Sequence, residues 1–243
     1  MTSHVDLTEL PDGLGLSVAV HGERTLRELT DTVNLLCDQI QARAERAVVV
    51  LRFDAVTVCR EWPGDIGVQD VNRWERALRR LERLPAVTIA VAHGTCGGPT
   101  LDLWLTADFR IGSADLNLLL PVNDGLLWPG MALYRLVQNI GLAQARRLVL
   151  WSGELSGRAA ADLGLLDELC ADPEQAARTA TVLAGRISDR EHEVRRQLLI
   201  EAATAEFDDA LGVHLSACDR ELRRLQDVRA SASALQLSGG VRS

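Results

Sequence analysis

Apolar residues recur along this chain with two periods, and the switches between them mark out the elements. Residues 14–21 alternate as a strand does, whereas 25–46 carry Leu26, Leu29, Val33, Leu36 and Ile40 at helical spacing. Residues 47–53, with Val48, Val49 and Val50 in succession, are a β-branched run without alternation, which predicts a strand covered on both faces. The following stretch, to Gly67, contains Pro63 and Gly64 and reads as a loop. A helix at 68–84 puts Val71, Trp74, Leu78 and Leu81 on one face, with arginines elsewhere, and Pro85 ends it. A second buried strand, 87–93, closes in the glycine-rich turn 94–98, and Pro99 suits the first turn of a helix over 99–105.

Short strands are expected at 109–112, 116–120 and 165–169, with helices at 129–139, 141–151 and 156–163 between them. From 173 onward the pattern is helical (174–187, 191–203, 207–228), and the tail 236–243, with Ser238, Gly239 and Gly240, reads as disordered. Strands alternating with helices and then a helical end predict an α/β core with a C-terminal helical region. The expected division is a core domain over 1–172 and a helical oligomerisation region over 173–243.

Composition narrows the function. A net charge of −8 argues against nucleic acid or an anionic membrane as the main partner. The apolar runs are too short to span a bilayer, and MTSHVDLTEL has no basic segment followed by an apolar stretch, so the reading is cytoplasmic. The cysteines (Cys37, Cys59, Cys96, Cys170, Cys218) and histidines are scattered, without C-x-x-C or H-E-x-x-H spacing, so no metal site is expected. All 26 basic residues are arginine. That suits a GC-rich genome and excludes Schiff-base chemistry on lysine. An anionic ligand must then be held by arginine, backbone N–H groups or helix N-termini.

The segment 85–108, PAVTIAVAHGTCGGPTLDLWLTAD, resembles the central signature of the crotonase (enoyl-CoA hydratase/isomerase) superfamily. There a buried strand runs into a Gly-x-Ala-x-Gly-Gly-Gly turn, a helix and an Ala/Cys-Asp pair. Gly94, Cys96 and Ala107-Asp108 match without a gap. Downstream, Pro121, Pro129-Gly130, Gly141, Ala145, Leu148, Leu155-Ser156 and Gly164-Leu165 keep the family's frame, and upstream WPGDI (62–66) sits where the family has Ala-Gly-x-Asp. The resemblance covers about residues 14–170 and implies a spiral ββα core that binds an acyl-CoA thioester. Coenzyme A enters as part of the substrate, and no separate cofactor is implied.

Such a thioester becomes enolate-like when it loses a proton, and two backbone N–H groups aimed at its oxygen form an oxyanion hole. The resemblance implies Gly64 as the first donor. The second donor position falls on Pro99, which has no N–H, so Gly98 or Thr100 must substitute or the hole has one arm. The family's two acid/base glutamates fall on Asp102, a shorter carboxylate, and on Val122, which cannot move a proton; Asp124 lies two residues beyond. A paired-carboxylate hydratase is therefore not expected. Asp102 reads either as an ordinary helix-surface cap or ion-pair partner, or as the acid/base group that its place implies.

Other residues carry two readings as well. Asp65 is a helix N-cap or a group near the acyl-CoA; Asp108 is structural; His93 ends a buried strand as a hydrogen-bonded residue. Arg24 and Arg27 sit where the family often places groups near the CoA phosphates, and each also suits a solvated helix start. Trp74, Trp104, Trp128 and Trp151 read as core, and Trp62, beside Gly64, as a lining of an acyl pocket.

The turn Cys-Gly-Gly-Pro, Pro121-Val122 and the Trp-Pro-Gly-Met segment resemble the hydratase-like proteins of 3,5-dihydroxyphenylglycine biosynthesis. That implies a type III polyketide synthase and other crotonase-like proteins as partners. The family also implies a homo-oligomer, a trimer or hexamer, which the apolar stripe Leu211, Leu215, Leu222, Leu225 would serve. The alternative function is a non-catalytic binding partner of the synthase, and an ordinary enoyl-CoA hydratase is the third.

Overall fold

Side-chain alternation along the parallel strands sets the layers. A computed structural model describes residues 7–43, 47–53, 65–123, 126–186 and 189–239. The chain divides into two compact units, 1–192 and 193–243. In the first, β1 (Leu7–Glu9) and β2 (Gly15–Val20) precede α1 (Leu26–Gln41), and β3 (Val48–Phe53) precedes α2 (Val68–Glu82). Next come β4 (Val87–Ala92), β5 (Thr95–Gly97), α3 (Pro99–Thr106), β6 (Phe109–Gly112) and β7 (Asn117–Leu119). A ribbon of β8 (Val122–Asn123) and β9 (Leu126–Leu127) leads to α4 (Ala132–Arg147), β10 (Glu154–Ser156), α5 (Gly157–Asp162), β11 (Glu168–Leu169) and α6 (Pro173–Ala184).

The main sheet has six strands in the order β1-β2-β3-β4-β6-β11, antiparallel at β1–β2 and parallel elsewhere. From β3 and β4, Val49, Leu51, Phe53, Ala90 and Ala92 enter one core with Leu29, Leu36 and Ile40 of α1, Trp74, Leu78 and Leu81 of α2, and Trp104 of α3. The alternate residues Val48, Val50, Ile89 and Val91 join Ile111 and Ala177 of α6 on the other face. Helices on both faces explain why 47–53 is apolar without alternation. Because α6 packs on the sheet, the first unit continues past 172 to His192, beyond the boundary expected from sequence. Gly15 sits so close to β3 that a Cβ there would lie 1.9 Å from the Val48 carbonyl oxygen.

A smaller sheet, β10-β7-β5, carries the turn that feeds α3. The strands at β1, β5 and β8–β9 were not expected from sequence: each is two or three residues long, too short for a period to register. The helices expected at 129–139 and 141–151 come out as the run α4, broken where Gly141 leaves helical geometry (φ 72°, ψ 160°), followed by a π-helical turn at Leu148–Ser152.

The second unit holds most of α7 (Asp189–Thr204) and all of α8 (Phe207–Gly239). Here the expected disordered tail is corrected in part, since α8 stays helical to Gly239. Leu211, Leu215, Leu222 and Leu225 are exposed on α8, as is Phe207. Among the described residues no helix is long and apolar enough to cross a membrane.

Candidate active site

The turn between β4 and α3 is held by its own backbone. The Gly94 carbonyl accepts from Asn117 N–H (2.7 Å), tying the turn to β7. Gly98 adopts φ 58°, ψ −135°, a conformation open in practice only to glycine, and Pro99 then starts α3. Thr100 Oγ1 accepts from Gly97 N–H (3.1 Å) and donates to Gly97 O (2.6 Å). The Gly97 N–H is thus engaged, and the N–H groups flanking buried Pro99 are those of Gly98 and Thr100. Cys96 beneath the turn is fully buried, which pushes its thiol up to about 12 and keeps it neutral.

Asp102, on α3, is 3% exposed and sits inside an ion-pair cluster rather than on a surface. Arg135 of α4 donates from Nη1 to Asp102 Oδ1 (3.0 Å), from Nη2 to Glu75 Oε2 (2.8 Å) and from Nε to Glu82 Oε1 (3.0 Å). One buried guanidinium therefore serves three carboxylates. Burial, with the nearby Glu75, pushes the Asp102 carboxyl up and Arg135 pulls it down, for a balance at about 7. At Arg135 the balance runs the other way. Burial opposes its charge, but Asp102, Glu75 and Glu82 together outweigh that and raise its pKa. The stable cluster thus has a charged Arg135 and an Asp102 that can change protonation near neutrality. The buried Trp74 Nε1 has no hydrogen-bond partner of good geometry, although its N–H lies close enough to favour the charged form of Asp102.

The remaining sequence candidates fall in different places. Gly64 and Trp62 lie outside the described residues, as does Asp124. Val122 is half-exposed on β8 and brings no proton-transferring group. Asp65 is exposed and is not the cap of α2. Gly67 holds the N-cap position, and its N–H donates to Asp70 Oδ2 (3.0 Å). Arg27 forms a bidentate pair with Asp70 (3.0 and 2.9 Å), which tacks α1 to α2 and, with the Gly67 N–H, holds Asp70 down at about 2. Its fork is therefore committed to a structural contact, while Arg24 donates to Thr32 Oγ1 (3.2 Å).

Asp108 is structural as expected: it accepts from Thr88 N–H and Oγ1, both at 2.8 Å. His93 is exposed, beside Asp115. Trp74 and Trp104 are core, but Trp151, in the π-helical turn, is 83% exposed. Among the described residues no cluster of metal ligands exists.

Sequence reasoning missed Arg135, Glu75 and Glu82. A signal was present: Ala132, Arg135 and Leu136 share the buried face of α4, so an arginine occupies a core stripe and requires buried counter-charges.

Residues 69–234 match the family described as enoyl-CoA hydratase/isomerase. A protein named enoyl-CoA-hydratase from Amycolatopsis orientalis is 39% identical over 210 residues, covering 86% of this chain and 96% of that protein. A "probable enoyl-CoA hydratase" of Bacillus subtilis strain 168 is 32% identical over 187 residues, 72% of this chain and 70% of that one. Among solved structures, an enoyl-CoA hydratase from Shewanella pealeana ATCC 700345 superposes with a TM-score of 0.79 at 17% identity, covering 96% of this chain and 93% of that chain. One from Bacillus anthracis gives 0.78 at 20% identity, covering 95% and 96%. A family match that runs from α2 into α8, and a relative this similar along almost its whole length, place this chain in the enoyl-CoA hydratase/isomerase family, on the family's α/β crotonase fold.

Proposed function

We propose that the protein acts on an acyl-CoA thioester of polyketide origin, as a hydratase/dehydratase-like helper of a type III polyketide synthase that forms 3,5-dihydroxyphenylacetyl-CoA. The observation that carries this reading is the buried carboxylate Asp102, raised toward neutrality by burial at the position that the resemblance gives to one of the family's acid/base groups, with Val122 at the other. One such group can take or return a proton beside an enolate-like thioester, as dehydration and aromatisation require. It cannot also activate a water opposite a second acid. Family membership by itself supports an ordinary enoyl-CoA hydratase equally well, and Val122, at the position that the resemblance gives to the second glutamate, is the reason to favour the helper.

The separating measurement is hydration of crotonyl-CoA by the purified protein. A missing positioned acid or base costs about 10²–10⁴-fold, so turnover is expected at least ~10²-fold below that of a two-glutamate relative assayed alongside. Turnover equal to that relative's would return the protein to the ordinary hydratases. With the synthase and malonyl-CoA present, the protein is expected to raise the yield of 3,5-dihydroxyphenylacetyl-CoA.

A second reading, a non-catalytic partner of the synthase, is favoured by Pro99 at the second donor position. Pro99→Gly distinguishes them. An added N–H at a one-armed oxyanion hole is expected to raise thioester turnover by up to about 10²-fold, whereas a scaffold would be indifferent to it. We further propose that the exposed leucines of α8 hold a trimer or hexamer. Light scattering at micromolar concentration is expected to give a mass of three or six chains, and a strict monomer would contradict it.

A further inference from the structure

We propose that Arg135 is a positioning residue for Asp102, clamped by Glu75 and Glu82 so that it orients the carboxylate while leaving it able to exchange a proton. This rests on the reading of Asp102 as the acid/base group. The argument starts from the shape of the guanidinium. Its N–H groups lie in one plane at fixed directions, so filling some of them determines where the others point. Glu75 and Glu82 are seven residues apart on α2, two helical turns, and so share a face. They occupy Nη2 and Nε, and the remaining terminal nitrogen, Nη1, meets Asp102 Oδ1 at 3.0 Å. Only that one oxygen of Asp102 is engaged by the arginine.

Charge sharing supplies the second half. One cation is divided among three carboxylates, so Asp102 receives only part of a counter-charge in a place that disfavours an anion. The groups facing Asp102 from each packed element are few. From α4 comes Arg135; from α2 come Glu75, with Glu82 behind it on the same arginine, and the indole N–H of Trp74. Among these, Glu75 acts on Asp102 twice, by direct repulsion and by drawing on the same arginine.

The test titrates Asp102 directly, by the ¹³C carboxyl signal of labelled aspartate that disappears in Asp102→Asn. The parent midpoint is expected at about 7. Glu75→Gln is expected to lower it by about one unit, and Glu82→Gln to move it the same way by less. Both side chains keep about a fifth of their surface exposed (20% and 19%), so either glutamine is accommodated. The acidic limb of the pH profile for turnover should move with the midpoint. A midpoint unmoved by both substitutions overturns the clamp. A midpoint that moves while the turnover profile stays in place upholds the clamp and removes Asp102 from the chemistry.

Discussion

Asp102→Asn is expected to lower the protein's contribution to thioester conversion by about 10²–10⁴-fold, the range for a positioned acid or base, while the fold is kept. Asparagine preserves the shape and can still accept from Arg135 Nη1, and Arg135 keeps Glu75 and Glu82 as counter-charges. Product yield with the synthase is the measurement, and a yield equal to the parent's would leave only the scaffold reading.

The same variant has a signature in stability. In the folded protein the Asp102 carboxyl titrates at about 7, against roughly 3.9 in an unfolded chain. Between those values the folded state retains a proton that the unfolded state has released. Stability from this group is therefore fully present below pH 4, falls as pH rises by up to about 1.4 kcal/mol per unit, and levels off above 7. The carboxyls of Asp70 and Glu28, which are lowered, act in the acid range instead. Asp102→Asn should thus gain on the parent as pH rises from about 4 to 7 in denaturant unfolding, with no further gain above that. Parallel pH profiles for the two proteins would show that Asp102 is not buried as a titrating group.

Arg135→Met is expected to be the most destabilising single change in the cluster, by about 3–5 kcal/mol, the usual loss when one partner of a buried ion pair is removed. Methionine fills much of the space but leaves Asp102, Glu75 and Glu82 converging on a side chain without charge. Glu75 and Glu82 can turn partly to solvent, and Glu82 keeps Arg79 (3.1 Å), so the loss should fall near the lower end. Adding Glu75→Gln to Arg135→Met should recover part of it, because one of the repelling charges is gone. Urea unfolding of the two single variants and the double gives the coupling directly. A double variant that is simply additive would show that the cluster is a set of independent contacts.

The parallel core could be read from the chain because its signals are local. The valine-rich run at 47–53 reads as a strand covered on both faces, and Thr25 with Glu28 writes the start of α1 into four consecutive residues, where both reciprocal bonds form. The strained glycine at 98 was likewise legible, because a turn that admits only glycine leaves its mark in the sequence. The surroundings of Asp102 were not. Its position in the turn-and-helix signature is a sequence fact, but its partner Arg135 lies 33 residues away, and Glu75 and Glu82 lie 60 and 53 residues from that arginine. No period or spacing connects residues on α2, α3 and α4; only the packing of those helices against one face of the sheet brings them together. The partner of Arg27 was equally out of reach of the sequence, since Asp70 lies 43 residues on. The sequence resemblance thus singled out Asp102 as the candidate acid/base carboxylate, and the tertiary structure alone decided its charge, because desolvation and a shared counter-ion exist only once the helices are packed.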